Sequence, residues 1–403
     1  MGQWQFHTPV GVADLLPREC AAKRQVEQRL RDVFCRRGYQ EIETPGIEFY
    51  DVYAAGSDTV PQEGLFKFFD EQGRILCLRY DGTVPAARVA ATLCRDNPVP
   101  LRLAYIGNMY RYNEYGGGKQ REFGQAGIEL MGSDAPEADA EVIATAIEAA
   151  LAVGIEDLQV SVGQVGFFHG LLAEWQIDGA DAALLPQLID SKQQVALDEL
   201  AERLGLPDRA RSVMRLMSQG LGSETELNEL ATLVRHPLAL AALENLRAVL
   251  SILDDVQVRP YISVDLGMLQ SLNYYTGVIF KGFTYGLGFP LFSGGRYDGL
   301  VRSFGRDLAA TGFSMGTSLT LAALQRQGKT IGAWSRPVRL GYLPGQHKKA
   351  LRTADSLRRD GLAVSCDPVE SAAAWLAHNP DGPVLLVDAR GEPVWLREVT
   401  TDA

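Results

Sequence analysis

The sequence predicts an α+β fold with a helical insertion and a small C-terminal α/β unit. One long helical pattern comes first, a run of strands joined by turns follows, and this order differs from the alternating strands and helices of a parallel sheet. Residues from about 173 to 255 are rich in Leu, Ala, Glu and Arg and contain few strand-like runs, which predicts the insertion. The predicted domains are therefore a core over residues 1–330 and a small α/β domain over residues 336–403.

The first predicted elements are a helix and an alternating strand. Apolar side chains recur at helical spacing over residues 18–37, and Gly38 ends the pattern. Residues 39–45 alternate and stop at a proline, as a strand does. Residues 65–70 and 74–80 flank a short turn with a glycine, which predicts a β-hairpin.

Two long strands and an alanine-rich helix form the predicted centre of the core. The strands are residues 101–110 and 121–131, and the helix is residues 137–152. The remaining predicted strands are residues 261–266, 277–283, 293–298, 338–343, 363–366 and 384–387. The remaining predicted helices are residues 85–96, 317–325 and 347–360.

Composition and charge restrict the class of protein. The chain has 403 residues and a formal net charge of -11, and an acidic surface repels phosphate backbones, so we expect no nucleic-acid partner. No run of about 18 apolar residues and no apolar signal core is present, so we expect a cytoplasmic protein without a membrane span. The five cysteines are scattered without a CxxC pair, which favours reduced thiols over a zinc site. We expect no metal and no cofactor.

Four segments carry candidate chemistry, and the first is residues 78–83, which end in Asp81-Gly82-Thr83. This end follows a predicted strand with a carboxylate, a glycine and a hydroxyl, which could bind an α-amino group. The alternative is an ordinary turn in which Asp81 or Thr83 caps the following helix.

The second segment combines Arg111 with the strand that follows it. Arg121, Gln125 and Glu129 share one face of this strand, because side chains alternate with period two, and could line a pocket. The alternative is a solvent-facing sheet surface.

The third and fourth segments are residues 272–277 and 294–300. The third has the adjacent tyrosines Tyr274 and Tyr275, which would point to opposite faces of a strand, so only one is expected to line a given site. The alternative for this pair is aromatic core packing. The fourth is rich in glycine, which lets the backbone approach a ligand or another strand closely.

Together and in this order, the four segments resemble the catalytic core of class II histidyl-tRNA synthetase over about residues 8–325. Residues 38–45 look like the dimer-forming first motif of that class, and residues 312–316 look like the start of its third motif. The resemblance implies a class II synthetase-like antiparallel sheet of six or seven strands flanked by helices, and a homodimer. It also implies a histidine-binding site, whose matching residues are Asp81, Thr83, Arg111, Gln125, Glu129 and Tyr275. Asp81 departs from the family, which has glutamate there.

The groups that handle ATP in that family are replaced. Gln270 stands where the family has an arginine, Ser318-Leu319 stands where it has Glu-Arg, and Asn113 stands where the second motif has a glutamate. Fixed cations stabilise the charge that develops at phosphorus, and leucine can neither pair with phosphate nor stack as a guanidinium does. The sequence therefore predicts no catalytic residues and no aminoacylation.

The chain lacks the residues that handle ATP and keeps those that match the histidine-binding site. In this it resembles the regulatory subunits of ATP phosphoribosyltransferase. That family implies a short-form catalytic phosphoribosyltransferase as partner, a hetero-oligomer in which dimers of this chain bridge catalytic dimers, and feedback by free histidine on histidine biosynthesis. The tail agrees, because its basic and acidic residues balance and leave no basic excess for RNA. Two rivals remain open: an active histidyl-tRNA synthetase, and another paralogue that modifies a protein or senses uncharged tRNA.

Overall fold

The computed structural model describes residues 3–55, 60–112, 120–220, 224–269, 274–331 and 336–398. The chain divides into two compact units, Met1–Ile331 and Gly332–Ala403. The strands are β1 Gln40–Glu41, β2 Ile47–Phe49, β3 Lys67–Phe69, β4 Ile75–Leu78, β5 Leu101–Tyr110, β6 Glu122–Met131, β7 Leu158–Gln164, β8 Ile262–Val264, β9 Val278–Thr284, β10 Phe292–Arg296, β11 Ala310–Gly316, β12 Val338–Tyr342, β13 Val364–Pro368, β14 Val384–Val387 and β15 Pro393–Arg397. The helices are α1 Pro17–Arg36, α2 Tyr50–Ala54, α3 Thr83–Ala91, α4 Pro136–Ala152, α5 Val165–Trp175, α6 Gly179–Asp190, α7 Gln194–Arg203, α8 Asp208–Gln219, α9 Glu224–Leu233, α10 Pro237–Asp255, α11 Thr317–Arg326, α12 His347–Arg359 and α13 Ala372–His378.

An eight-stranded sheet forms the centre of the first unit, in the order β1-β5-β6-β11-β10-β9-β7-β8. Most neighbouring strands are antiparallel, but β1 is parallel to β5 and β8 is parallel to β7. The sheet is therefore mixed and larger than the six or seven antiparallel strands that the resemblance implied. The parallel β7–β8 pair is possible because helices α5 to α10 connect the two strands and bring the chain back in the same direction.

Helices cover this sheet with apolar side chains. In α1, Val26, Leu30 and Val33 recur at helical spacing and are fully buried. The alanine-rich α4 packs against α1, α10 and β11, and its small side chains allow these close approaches. The predicted α+β class is confirmed, and the predicted helical insertion is occupied by helices α6 to α10.

A three-stranded sheet, in the order β2-β4-β3, precedes the candidate segment at Asp81. Its hairpin β3–β4 was predicted from the sequence, and Gly73 adopts the positive φ of 76° that the turn between the strands requires. After β4 the chain passes through Asp81 and Gly82 and enters α3 at Thr83.

The second unit has a four-stranded sheet in the order β13-β12-β14-β15, with β15 antiparallel to β14. Its core contains Val338, Leu340, Ala350, Ala354 and Leu385, so the buried side of α12 packs on the sheet through two small alanines. The predicted strands and the predicted α12 are present. Helix α13 and the edge strand β15 were missed because their sequences are short and lack a clear period.

Candidate functional site

The site is built around the carboxylate of Glu129, which lies on the middle strand of three. Glu129 on β6 pairs in register with Leu103 on β5 and with Gly312 on β11. The residue is only 1% exposed. A Cβ atom at position 312 would overlap with Oε2 of Glu129, so only glycine at this position leaves space for the carboxylate.

Two tyrosine hydroxyl groups hold this carboxylate. Tyr105 on β5 donates to Oε1 of Glu129 at 3.3 Å, and Tyr297, which follows β10, donates to Oε2. The hydroxyl oxygen of Thr83 lies 3.4 Å from that of Tyr105 and extends the network to α3. Burial is the main reason that the pKa of Glu129 is raised to about 8, and the charge of Asp81 adds to the rise. The hydroxyl groups of Tyr297, Thr83 and Tyr105 oppose this shift.

A second carboxylate, that of Asp81, lies in the loop before α3. Its Oδ1 accepts a hydrogen bond from the backbone N–H of Val84 at 3.1 Å, so Asp81 caps the first turn of α3. The alternative that Asp81 caps the following helix is therefore confirmed. Burial raises the pKa of Asp81, while the Val84 N–H and the charge of Arg111 oppose the shift.

The amide of Gln125 connects three elements of the site. Its Oε1 accepts a hydrogen bond from the Gly82 N–H at 3.2 Å, and its Nε2 donates to Oγ of Ser314 on β11 at 3.0 Å. Gln125 and Glu129 lie on the same face of β6, as predicted, and both are buried. The alternative of a solvent-facing sheet surface is therefore wrong for this part of β6.

Arg111 follows β5 and lies between aromatic rings. Its guanidinium carbon is 4.5 Å from the ring centre of Tyr80 and 4.9 Å from that of Phe123. Its Nε donates to the backbone carbonyl of Tyr80 at 3.4 Å. These stacking contacts fix the plane of the cation and place its charge close enough to Asp81 to oppose the rise in the pKa of that carboxyl that burial causes. Arg121, on the same face of the predicted strand, stacks on Tyr112 instead.

Tyrosines form one wall of the site. The ring centres of Tyr274 and Tyr275 are 4.7 Å apart, and Tyr274 stacks on Tyr297 at 5.4 Å. Burial, followed by the charges of Glu129 and Asp81, raises the pKa of Tyr275. Burial also raises the pKa of Tyr274, with Glu129 among the further causes. Tyr274 packs with the cluster that contains Tyr105 and Tyr297, whereas Tyr275 packs against Val165, Met268 and Ile279. The expectation that only one of the two tyrosines lines the site stays a prediction.

The structure thus brings five of the six predicted residues into one connected cluster, and Tyr275 lies beside it. The predicted site left out Tyr274, which the third segment contains, and sequence reasoning missed Tyr105, Tyr297 and Ser314. Tyr297 belongs to the glycine-rich fourth segment, which was a usable signal. Tyr105 gave no such signal, because its role depends on the register between β5 and β6.

A cavity of about 260 Å³ adjoins this cluster and shares Arg111, Gln125 and Ser314 with it. Its other lining residues are Gln120, Phe123, Phe289, Pro290, Leu291, Phe292, Ser293, Gly316, Ser318 and Leu319. Leu319, in the first turn of α11, contributes an apolar side chain where the resemblance would put an arginine. The other two replaced positions, Asn113 and Gln270, lie outside the described residues.

Two further observations concern metals and membranes. Within the described ranges, no group of His, Cys, Asp and Glu side chains is arranged to hold a metal ion, and all five cysteines are free thiols. No helix in the same ranges has the length and apolar character needed to cross a membrane.

Comparison with known proteins identifies the family. The histidyl-tRNA synthetase family profile matches residues 11–319. The ATP phosphoribosyltransferase regulatory subunit of Acetivibrio thermocellus is 47% identical over 91% of this chain and 88% of that protein. The protein of the same name from Ruminiclostridium cellulolyticum is 42% identical over 90% of this chain and 87% of that protein.

Solved structures agree with these relatives. An ATP phosphoribosyltransferase regulatory subunit/histidyl-tRNA synthetase from Bacillus halodurans superposes with a TM-score of 0.86 at 30% identity, covering 96% of this chain and 100% of that chain. The histidyl-tRNA synthetase of Nostoc superposes with a TM-score of 0.80 at 22% identity over 97% and 96% of the two chains, which supports the fold. The chain therefore belongs to the family of ATP phosphoribosyltransferase regulatory subunits, which is built on the histidyl-tRNA synthetase fold.

Proposed function

We propose that this chain is the non-catalytic regulatory subunit of an ATP phosphoribosyltransferase, and that it binds free histidine for feedback on the first step of histidine biosynthesis. The observation that carries the proposal is the contrast between two adjoining parts of one site. The cluster around Glu129 keeps buried, hydrogen-bonded polar groups, whereas Leu319 brings an apolar side chain into the neighbouring cavity.

The cluster offers a complementary partner for each polar group of histidine. Asp81 and Glu129 suit the ammonium group or an imidazole N–H, because carboxylates form strong hydrogen bonds with charged donors. Arg111 suits the ligand carboxylate. Gln125 can donate and accept, and Tyr275 offers an aromatic face with a polar end.

Regulation would follow from linkage between ligand binding and assembly. Histidine can shift the activity of a complex only if it binds one conformational or assembly state more tightly than another. The partner is proposed to be a short-form catalytic phosphoribosyltransferase, with dimers of this chain bridging catalytic dimers. The names of the relatives support a catalytic partner, and the stoichiometry is part of the proposal.

Loss of either site carboxylate is expected to weaken histidine binding. In calorimetric titrations of the full chain with L-histidine, Glu129→Gln and Asp81→Asn should each lower the affinity tenfold or more, which corresponds to about 1.5–3 kcal/mol for a hydrogen bond to a charged group. Glu156→Gln is the matched control, because the Glu156 side chain is 80% exposed and pairs with Lys329 at the surface.

The competing possibility is a pocket that persists without a ligand, with inhibition acting wholly on the catalytic partner. Unchanged histidine affinity in both site variants, together with unchanged feedback in the reconstituted complex, would rule out histidine sensing by this chain. The Glu156→Gln control should match the wild type in both measurements.

The purified chain is expected to be at least a dimer. The segment 38–45, which resembles the dimer-forming motif, contains β1 at the edge of the eight-stranded sheet, and an edge strand has backbone groups available for a partner. Light scattering at micromolar concentration should give a mass of at least twice 44.0 kDa. A monomer at that concentration would contradict the proposed homodimer.

A further inference from the structure

Glu129 is enclosed without a cation to balance its charge. It is 1% exposed, and its oxygens accept hydrogen bonds from the neutral hydroxyl groups of Tyr105 and Tyr297. In the described part of the chain, no lysine, arginine or histidine forms an ion pair with it. A buried carboxylate in such surroundings is costly to ionise, since burial removes water and the phenols compensate only in part.

The surrounding titratable groups reinforce this state. Asp81 faces Glu129 from the loop before α3, and its proximity disfavours a second negative charge. The tyrosines that face it are Tyr105, Tyr274, Tyr275 and Tyr297, and burial raises the pKa of each, so they stay neutral near pH 7. Arg111 is stacked on aromatic rings and acts on Asp81, so it does not supply the missing counterion.

We propose that histidine binding in this pocket expels one proton from Glu129 into solvent, which makes the site sensitive to pH as well as to histidine. The proton leaves the carboxyl group, and the resulting carboxylate then pairs with the ammonium or imidazole N–H of the ligand. This inference rests on the proposed function, because it assigns a regulatory property to the same site.

The sign of the linkage follows from the two protonation states. The empty pocket holds the neutral acid below a pKa of about 8, and the occupied pocket holds the carboxylate. Raising the pH up to about 8 therefore removes the cost of deprotonation and strengthens binding. From pH 6.5 to 7.5 the ionised fraction of such a group rises roughly eightfold. The neutral fraction of the ligand imidazole rises almost twofold over the same range, so histidine affinity should rise by about fourteenfold.

Titration calorimetry in buffers of different ionisation enthalpy counts the released protons. At pH 7.5 we expect release of about 0.85 proton per bound histidine, because a group with a pKa of about 8 is about three-quarters protonated there and free imidazole adds about 0.1. Phosphate and Tris are suitable buffers, because their ionisation enthalpies differ widely. Asp81→Asn should keep most of this release, whereas Glu129→Gln should reduce it to the small imidazole contribution.

Infrared difference spectroscopy gives a readout that does not require the variant to bind histidine. The empty wild type should show the carbonyl band of a protonated carboxyl group, absent from Glu129→Gln, and histidine should remove this band. Binding heats that are independent of the buffer would overturn the proposed proton release and leave the histidine site intact. This holds also for a proton that passes from Glu129 to the bound ligand, because such a proton does not reach the solvent. Absence of histidine binding to the wild type would overturn both proposals.

Discussion

The purified chain is expected to show no histidine-dependent exchange of pyrophosphate into ATP above the rate measured without protein. Adenylate formation needs fixed cations and oriented donors around the α-phosphate, and removing one such donor typically raises the barrier by about 2.7–4 kcal/mol. Three groups that resemblance assigns to ATP handling are replaced here, by Asn113, Gln270 and Leu319. The combined loss should remove measurable exchange, although losses of this kind are not strictly additive.

The structure gives a reason to expect that the loss is hard to reverse. Leu319 packs against the hydrophobic core and lines the cavity of about 260 Å³. An arginine at this position would need space for its longer side chain, and the other two ATP-handling groups, at Asn113 and Gln270, would still be replaced. We therefore expect Leu319→Arg alone to stay at background. A histidyl-tRNA synthetase assayed in parallel is the positive control, and wild-type exchange at a comparable rate would contradict the non-catalytic assignment.

Short-range periodicity explains what the sequence could predict about the site. Strand β5 was predicted over its full length because its ten residues follow one pattern, and the alternation of β6 placed Gln125 and Glu129 on one face. These statements need only the geometry of a single strand. The ordered resemblance of several segments supplied the rest of the fold class.

Long-range register explains what the sequence could not predict. Tyr105 and Tyr297 lie 24 and 168 residues from Glu129 along the chain, and only the pairing of β5 with β6, of β6 with β11 and of β11 with β10 brings their hydroxyl groups to it. The strand β11 itself was missed, since its glycines suggest a loop. Gly312 is required there because a Cβ would overlap with the Glu129 carboxylate.

Element ends depend on neighbours that a local pattern does not contain. The strand predicted over residues 39–45 pairs as β1 only at Gln40–Glu41, because it lies at a sheet edge beside β5 alone. Helix α3 begins at Thr83, before the predicted start at Pro85, because proline is accepted in a first turn and Asp81 supplies the capping oxygen.

Loss of the Arg296 side chain is expected to have the largest effect on stability. Its Nε donates to Oδ2 of Asp139 at 3.0 Å, and the two side chains are 8% and 1% exposed. Another guanidinium nitrogen donates to the carbonyl of Ser133 at 3.0 Å. Arg296→Ala leaves a buried carboxylate without its cation, so the free energy of unfolding should fall by about 3–5 kcal/mol in urea titrations.

The matched control for Arg296→Ala is Arg302→Ala. Arg302 pairs with Asp307 at 2.9 Å, but both side chains are about two-thirds exposed, and such surface pairs contribute about 0–1 kcal/mol. A loss for Arg296→Ala no larger than that of this control would contradict the expected role of the buried pair.

The pH dependence of the Arg296→Ala variant identifies the unpaired group. Burial already raises the pKa of Asp139 and Arg296 opposes the shift, so removing the arginine should raise this pKa further. A folded-state pKa above the unfolded value means that stability falls as the pH rises between the two values. The deficit of Arg296→Ala should therefore shrink as the pH is lowered. Asp139→Leu combined with Arg296→Met should recover stability at neutral pH, because no buried charge is then left unpaired.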